Sequence, residues 1–200
     1  MIMEKLQKLG RALMVPVAVL PAAAILMGIG YWIDPVGWGA NSPVAALLIK
    51  AGSSIIDNMP ILFAVGVAYG MSKDKDGAAA LAGLVGFLVV TTLLSPAAIA
   101  QFTKVDVAAV APAFGKINNQ FVGIVVGVMS ASLYDKFYKV ELPKALTFFS
   151  GRRLVPILTS VAAMLLSLVL YFIWPVLYSG LVTFGKSIVS MGPFGAGIYG

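Results

Sequence analysis

Three short patterns in this chain have residue types and spacings that could do chemistry. Gly180, Gly185, Lys186 and Ser187 fit G-x-x-x-x-G-K-[ST], the loop whose backbone amides and lysine hold nucleotide phosphates. Gly195, Gly197 and Gly200 fit G-x-G-x-x-G, whose glycines let a backbone approach a pyrophosphate. Asp57 and Asn58 place a carboxylate and an amide early in an apolar run, directly before Met59 and Pro60. An ionisable group inside a membrane segment is costly to bury and marks a candidate site for a substrate or an ion. Near an interface, the same carboxylate would simply be hydrated.

Each pattern needs an element to position it. A phosphate loop follows a buried strand and opens a helix within an α/β sheet. No such alternation surrounds Gly180–Ser187, which reads as an amphipathic segment with Lys186 reaching lipid headgroups. Gly195–Gly200 has no strand before it and no acidic partner after it, so it reads as a glycine-rich turn leading into another membrane segment. Asp57 and Asn58 remain as the candidate substrate-binding residues. Lys73-Asp74-Lys75-Asp76 reads as a solvated mixed-charge turn, and Asp34 as an isolated carboxylate.

Composition narrows the classes further. Of the 200 residues, 60% are hydrophobic and 11% charged, against about 25% charged in soluble domains. There is no Cys and no His, which removes disulfides, thiolate or imidazole metal sites, and Ser–His or Cys–His catalysis. No metal and no cofactor is expected. What remains is a polytopic membrane protein in contact with the lipid bilayer, and an all-α one, because an open sheet edge does not survive in lipid.

A spanning helix needs about 20 apolar residues. The charge-poor stretches predict five, at about 12–33, 50–71, 77–95, 117–134 and 154–174, followed by a C-terminal amphipathic or re-entrant segment. The second can start near Val44 if it is broken or tilted. The first is a retained helix and not a cleaved signal, since its apolar run is too long and further spans follow. Gly66 and Gly70, and Gly123, Gly127 and Ala131, repeat at four-residue spacing and suit close helix packing. Ten of the fourteen basic residues, including Lys5, Lys8, Arg11, Lys73, Lys75, Lys136, Arg152 and Arg153, fall on one side of these spans. The positive-inside rule puts that side, and the N-terminus, in the cytoplasm. The net charge of +6 is then a topology signal and headgroup contact, with no nucleic-acid partner.

Five blocks in order carry a family resemblance. They are Gln7–Pro21 (QKLGRALMVPVAVLP), Ile56–Ala68 (IDNMPILFAVGVA), Asp76–Gly83 (DGAAALAG), Phe148–Ile157 (FFSGRRLVPI) and Gly195–Gly200 (GAGIYG). Together they resemble the enzyme IIC permease domain of the bacterial phosphoenolpyruvate-dependent sugar phosphotransferase system, glucose superfamily. The regions Lys73–Gly83 and Ser190–Gly200 are most similar to the N-acetylglucosamine-specific branch, with glucose-specific permeases the runner-up.

The resemblance implies a multi-pass protein of the bacterial cytoplasmic (inner) membrane that takes up a sugar as it is phosphorylated. It implies IIB and IIA domains or subunits and the phosphocarrier HPr as partners, and a homodimer. It also implies that the residues 1–200 are the N-terminal half of a permease domain. The family's histidine segment and glutamate loop, which carry most of the sugar site, are then expected beyond Gly200. A fragment of this kind is a transferase subunit only when complete, because it carries no phosphoryl-transfer residue. From the residues alone the competing class is an ion-coupled secondary transporter or channel using Asp57.

Overall fold

The structure, a computed structural model, describes residues 2–190. Among them the ordered elements are helices. These are α1 (Ile2–Val17), α2 (Leu20–Ile33), α3 (Pro43–Asp57), α4 (Met59–Met71), α5 (Gly77–Leu93), α6 (Pro96–Thr103), α7 (Gln120–Phe137) and α8 (Leu154–Ser190), with short 3-10 turns in the loops. A helix lies over each of the five predicted stretches, but the ends differ in ways that have local causes.

The first apolar helix runs from Leu6 to Ile33 with a local break at Ala18 and Val19. Pro16 and Pro21 flank the break, and each lacks the N–H that would bond four residues back. Lys8 and Arg11 lie inside α1, because a charge does not end a helix. The second stretch is two helices, α3 and α4, bent by 53° across Asn58. Pro60 sits in the first turn of α4, where a missing N–H costs nothing. The third stretch ends at Leu93, and α6 departs at 55°. Ser95 caps α6, its Oγ accepting from the Ala98 N–H at 3.3 Å, with Pro96 at the first helical position. Asn119 caps α7 in the same way, accepting from Val122 N–H at 3.0 Å.

The largest difference is α8. It continues through Pro175 to Ser190, 37 residues in all, so up to Ser190 there is no separate amphipathic or re-entrant segment. A proline in an apolar helix is tolerated when neighbouring groups take up the freed carbonyl. Among the described residues, two helices can cross a membrane by length and composition, and the two bent pairs, if each is one span, raise the number to four. α7, the remaining expected stretch, has 18 residues and carries Asp135 and Lys136 near its end.

The chain forms two compact units. One comprises Met1–Leu88 and Asn118–Ala163. Its centre is α4, whose Ala64, Val67 and Ala68 are fully buried. Two glycine seams let neighbours approach α4 closely. A Cβ at Gly66 would lie 2.7 Å from the Pro16 ring of α1, and one at Gly123 of α7 would collide with the Pro60 carbonyl. These are the four-residue spacings noted above, and small residues are what allow such approach in a membrane domain. α2 packs on α3 through Gly30 and Gly52. The other unit comprises Val89–Ile117 and Met164–Gly200. In it the Trp174 Nε1–H donates to the Ala113 carbonyl at 2.7 Å, and Tyr171 stacks on Phe114 at 5.6 Å. These contacts fasten the 112–116 turn to α8.

Candidate functional site

Asp57 is the last residue of α3, and Asn58 is the hinge residue between α3 and α4. Both side chains are exposed, while Met59 and Pro60 are buried. The Asn58 amide donates to the Ser54 carbonyl at 2.7 Å, closing the end of α3. The 53° break between α3 and α4 interrupts the helix directly after this carboxylate. Discontinuous helices bring polar groups to a substrate in many transporters. The two candidate residues are therefore adjacent on a bend, and neither is held in a preformed cage.

Sequence reading missed a polar knot at the far end of α4. Asp74 and Asp76 lie on the loop between α4 and α5, and Arg152 lies just before α8. Arg152 Nη2 donates to Asp74 Oδ2 at 3.1 Å, and Nη1 lies 2.7 Å from Asp76 Oδ2. The Tyr134 hydroxyl, from α7, also donates to Asp74 Oδ2, at 3.0 Å. Asp135 accepts from the Lys73 backbone N–H at 2.7 Å and pairs with Lys8 of α1 at 3.6 Å. The Ala78 N–H donates to Asp76 Oδ1 at 2.8 Å, which caps the start of α5. The loop read as a solvated turn thus ties α1, α4, α5, α7 and α8 together. The available signal was an alternating Lys-Asp-Lys-Asp loop and an Arg-Arg pair predicted on one side of the spans. A cavity of about 340 Å³ lies beside this knot, lined by Leu6, Leu9, Met71 and Val128 with the Lys8–Asp135 pair at its edge.

Asp34, read as isolated, is also engaged. Its carboxylate accepts from the backbone N–H of Gly37 (2.9 Å), Gly39 (3.0 Å) and Asn41 (2.9 Å), and from the Asn41 side chain (3.2 Å). The Asn41 backbone N–H is the main reason its pKa lies below the ordinary carboxylate value. Burial opposes that shift, and the Gly37, Asn41 side-chain and Gly39 donors add to it. The spacing Asp-x-x-Gly-x-Gly-x-Asn was the missed signal, since an Asp side chain commonly bonds nearby backbone amides in turns.

The phosphate-loop match falls inside α8, where Gly180 to Ser187 are continuous helix. A helix interior offers no cradle of free amides, so the pattern holds no phosphate there. The G-x-G-x-x-G match at Gly195–Gly200, like the last of the five family blocks, lies outside the described residues. Among the described residues no group of three or more Asp, Glu, His or Cys is placed to hold a metal.

Comparison with known proteins decides the lineage. A profile of the family described as "Phosphotransferase system, EIIC" matches residues 10–200. This chain belongs to the enzyme IIC family. It is similar to the "PTS system N-acetylglucosamine-specific EIICB component" of Bacillus subtilis (strain 168), with 37% identity over 98% of this chain and 38% of that protein. It is also similar to the "PTS system N-acetylglucosamine-specific EIIC component" of Streptomyces coelicolor, with 36% identity over 98% of this chain and 47% of that one. The IIC chain described here therefore spans less than half the length of these two relatives. Enzyme IIC is a membrane domain, and the apolar helices are those of one. The exposed Leu165, Leu168, Phe172 and Val176 of α8 then face a medium where apolar surface is at home.

Proposed function

We propose that this chain takes part in sugar uptake coupled to phosphorylation, as part of a phosphotransferase permease, with N-acetylglucosamine as the sugar. The observation that carries the reading is identity of 36–37% across 98% of the chain with two proteins named for that sugar. In this reading the membrane is the bacterial cytoplasmic membrane. The charge-poor stretches 12–33, 50–71, 77–95, 117–134 and 154–174 provide the spans, and the side that carries ten of the basic residues, with the polar knot, faces the cytoplasm. Residues 1–200 form the N-terminal half of the permease domain, which works as a homodimer.

The chemistry follows from what the residues lack. Phosphoryl relay through a phosphotransferase system uses phosphocysteine and phosphohistidine, and this chain has neither Cys nor His. The phosphoryl group then comes from a IIB domain, recharged by IIA and HPr, while this chain positions sugar and helices. One of the two relatives carries a IIB component in its name, in keeping with that division. Asp57 and Asn58 are the proposed polar contacts for the sugar's hydroxyls, placed at a helix break. A carboxylate and an amide together supply acceptors and donors for a polyol.

Deletion of the gene encoding this chain, followed by growth on single sugars, tests the specificity. The expected result is lost growth on N-acetylglucosamine with growth on glucose kept. Loss on glucose alone would contradict it.

A further inference from the structure

The segment between α2 and α3 has an unusual construction for nine residues of loop. Asp34 is the sole charged residue between Arg11 and Lys50. Its carboxylate, with the residue only 6% exposed, is turned inward onto four donors from Gly37, Gly39 and Asn41. The outside of the loop is the reverse. Trp32 is 82% exposed, Val36 89% and Trp38 71%. Trp38 has φ of 51°, a conformation rare for a bulky side chain, and Gly39 follows with φ of 96°. The Trp38 ring meets Tyr31 edge-on at 5.7 Å. Asp34 fixes the residues on either side of Trp38, so the carboxylate holds the backbone that presents the indole. A strained residue persists only where its surroundings over-determine it.

Two features indicate what this face meets. The loop begins one residue after the apolar helix Leu6–Ile33 ends and leads into apolar α3, so it is continuous with lipid-facing surface. It also carries no basic residue, which leaves nothing to select an anionic partner. Indole rings favour the headgroup level, where the ring is out of water and its N–H stays wet. A free carboxylate at that level would be costly, but one bonded to four donors is not.

We propose that the Asp34-centred loop is a bilayer-docking wedge, with Val36 and Trp38 of the loop and Trp32 at the end of α2 seated at the headgroup–acyl boundary, and Asp34 as the clasp that holds the loop in shape. The inference rests on the reading of this chain as a membrane domain. It needs no particular lipid charge.

Residues 1–200 contain no cysteine, so Val36→Cys gives the one thiol among them for attaching a nitroxide. The protein would be reconstituted into phosphatidylcholine vesicles, and in parallel into vesicles containing phosphatidylglycerol. The expected result is that the label collides with oxygen several-fold more, relative to a water-soluble nickel chelate, than the same nitroxide free in buffer. The ratio should be equal in both lipids. Asp34→Asn in the labelled chain should raise label mobility and move the ratio toward the aqueous value. A label with the aqueous ratio in protein that floats with the vesicles would overturn the docking proposal alone. Failure of the protein to float would overturn the membrane reading beneath it. Dipolar broadening that disappears on dilution with unlabelled chain would assign the face to a second copy instead, and would also overturn the proposal.

Discussion

The hydroxyl of Tyr134 donates to Asp74 at 3.0 Å, joining residues sixty positions apart at the end of a helix bundle. Tyr134 is fully buried and its ring stacks on Tyr138, so the donor is held in place by packing before the bond forms. Asp74 also carries Arg152, which makes the tyrosine a neutral anchor for an ion pair.

Tyr134→Phe removes that anchor and little volume. A hydrogen bond to a charged acceptor contributes about 1.5–3 kcal/mol when well buried. Asp74 is partly exposed, so a loss below that range, roughly 1 kcal/mol, is expected. Chemical unfolding of Tyr134→Phe, Asp74→Asn and the double variant measures it. Losses that simply add would show that the two side chains are not coupled.

Arg152→Ala should lower stability in low salt and lose that effect as salt rises, because the pair is more than half exposed on the arginine side. Melting temperature across a salt series checks this. A deficit that persists undiminished in high salt would point to lost packing instead of lost charge.

Gly123→Ala should destabilise the fold by about 1–3 kcal/mol, the cost of overpacking, because its Cβ has no space beside the Pro60 carbonyl. Gly10→Ala provides the contrast. Nothing lies within 4 Å of a Cβ there, and an alanine inside α1 should stabilise by about 0.5–1 kcal/mol. Paired unfolding curves with opposite signs would establish the α4–α7 seam.

Asp34 predicts an acid limb in stability. Its pKa in the fold lies below that of the unfolded chain. The unfolded chain therefore binds the proton first as pH falls. The contribution is whole above the ordinary carboxylate pKa and is lost as pH drops through the lowered folded value. In Asp34→Asn this part of the pH dependence should vanish. A melting-temperature profile identical to that of the parent would show that the clasp adds nothing.

Asp57→Asn and Asn58→Ala should lower uptake about tenfold or more, the factor for one ligand hydrogen bond. Asp57 is exposed at the bend, so stability and membrane level should stay unchanged in Asp57→Asn, whereas Asn58→Ala also loses its bond to the Ser54 carbonyl and should cost about 1 kcal/mol of stability. Unaltered uptake in both variants would mean that the bend does not contact the sugar.

The helices and their glycine seams were legible because they depend on local quantities. Charge-free length marked α2, α4, α5, α7 and the first half of α8. Four-residue spacing marked Gly66, Gly70, Gly123 and Gly127. The seam through Gly30 and Gly52 had no such repeat, because the two residues lie on different helices. The passage of α8 through Pro175 was hidden, since a proline reads as a stop unless neighbouring groups accept it. The break at Asn58 was anticipated only as one way of fitting a stretch that began near Val44. The polar knot was not legible for a plainer reason. Its partners, such as Asp74 and Arg152, lie 78 positions apart, and a charge run shows nothing of what will fold against it. The proposed sugar contacts are legible only as far as Asp57 and Asn58 mark a break in an apolar stretch.

Coupling of uptake to phosphorylation is tested most directly by the chemical form of the sugar inside the cell. A strain carrying the gene for this chain would be given radiolabelled N-acetylglucosamine, with and without HPr. The expected result is label recovered as a phosphate ester, and none accumulated when HPr is absent. Free sugar accumulated without HPr and abolished by collapsing an ion gradient would contradict it, and would favour an ion-coupled transporter built on Asp57.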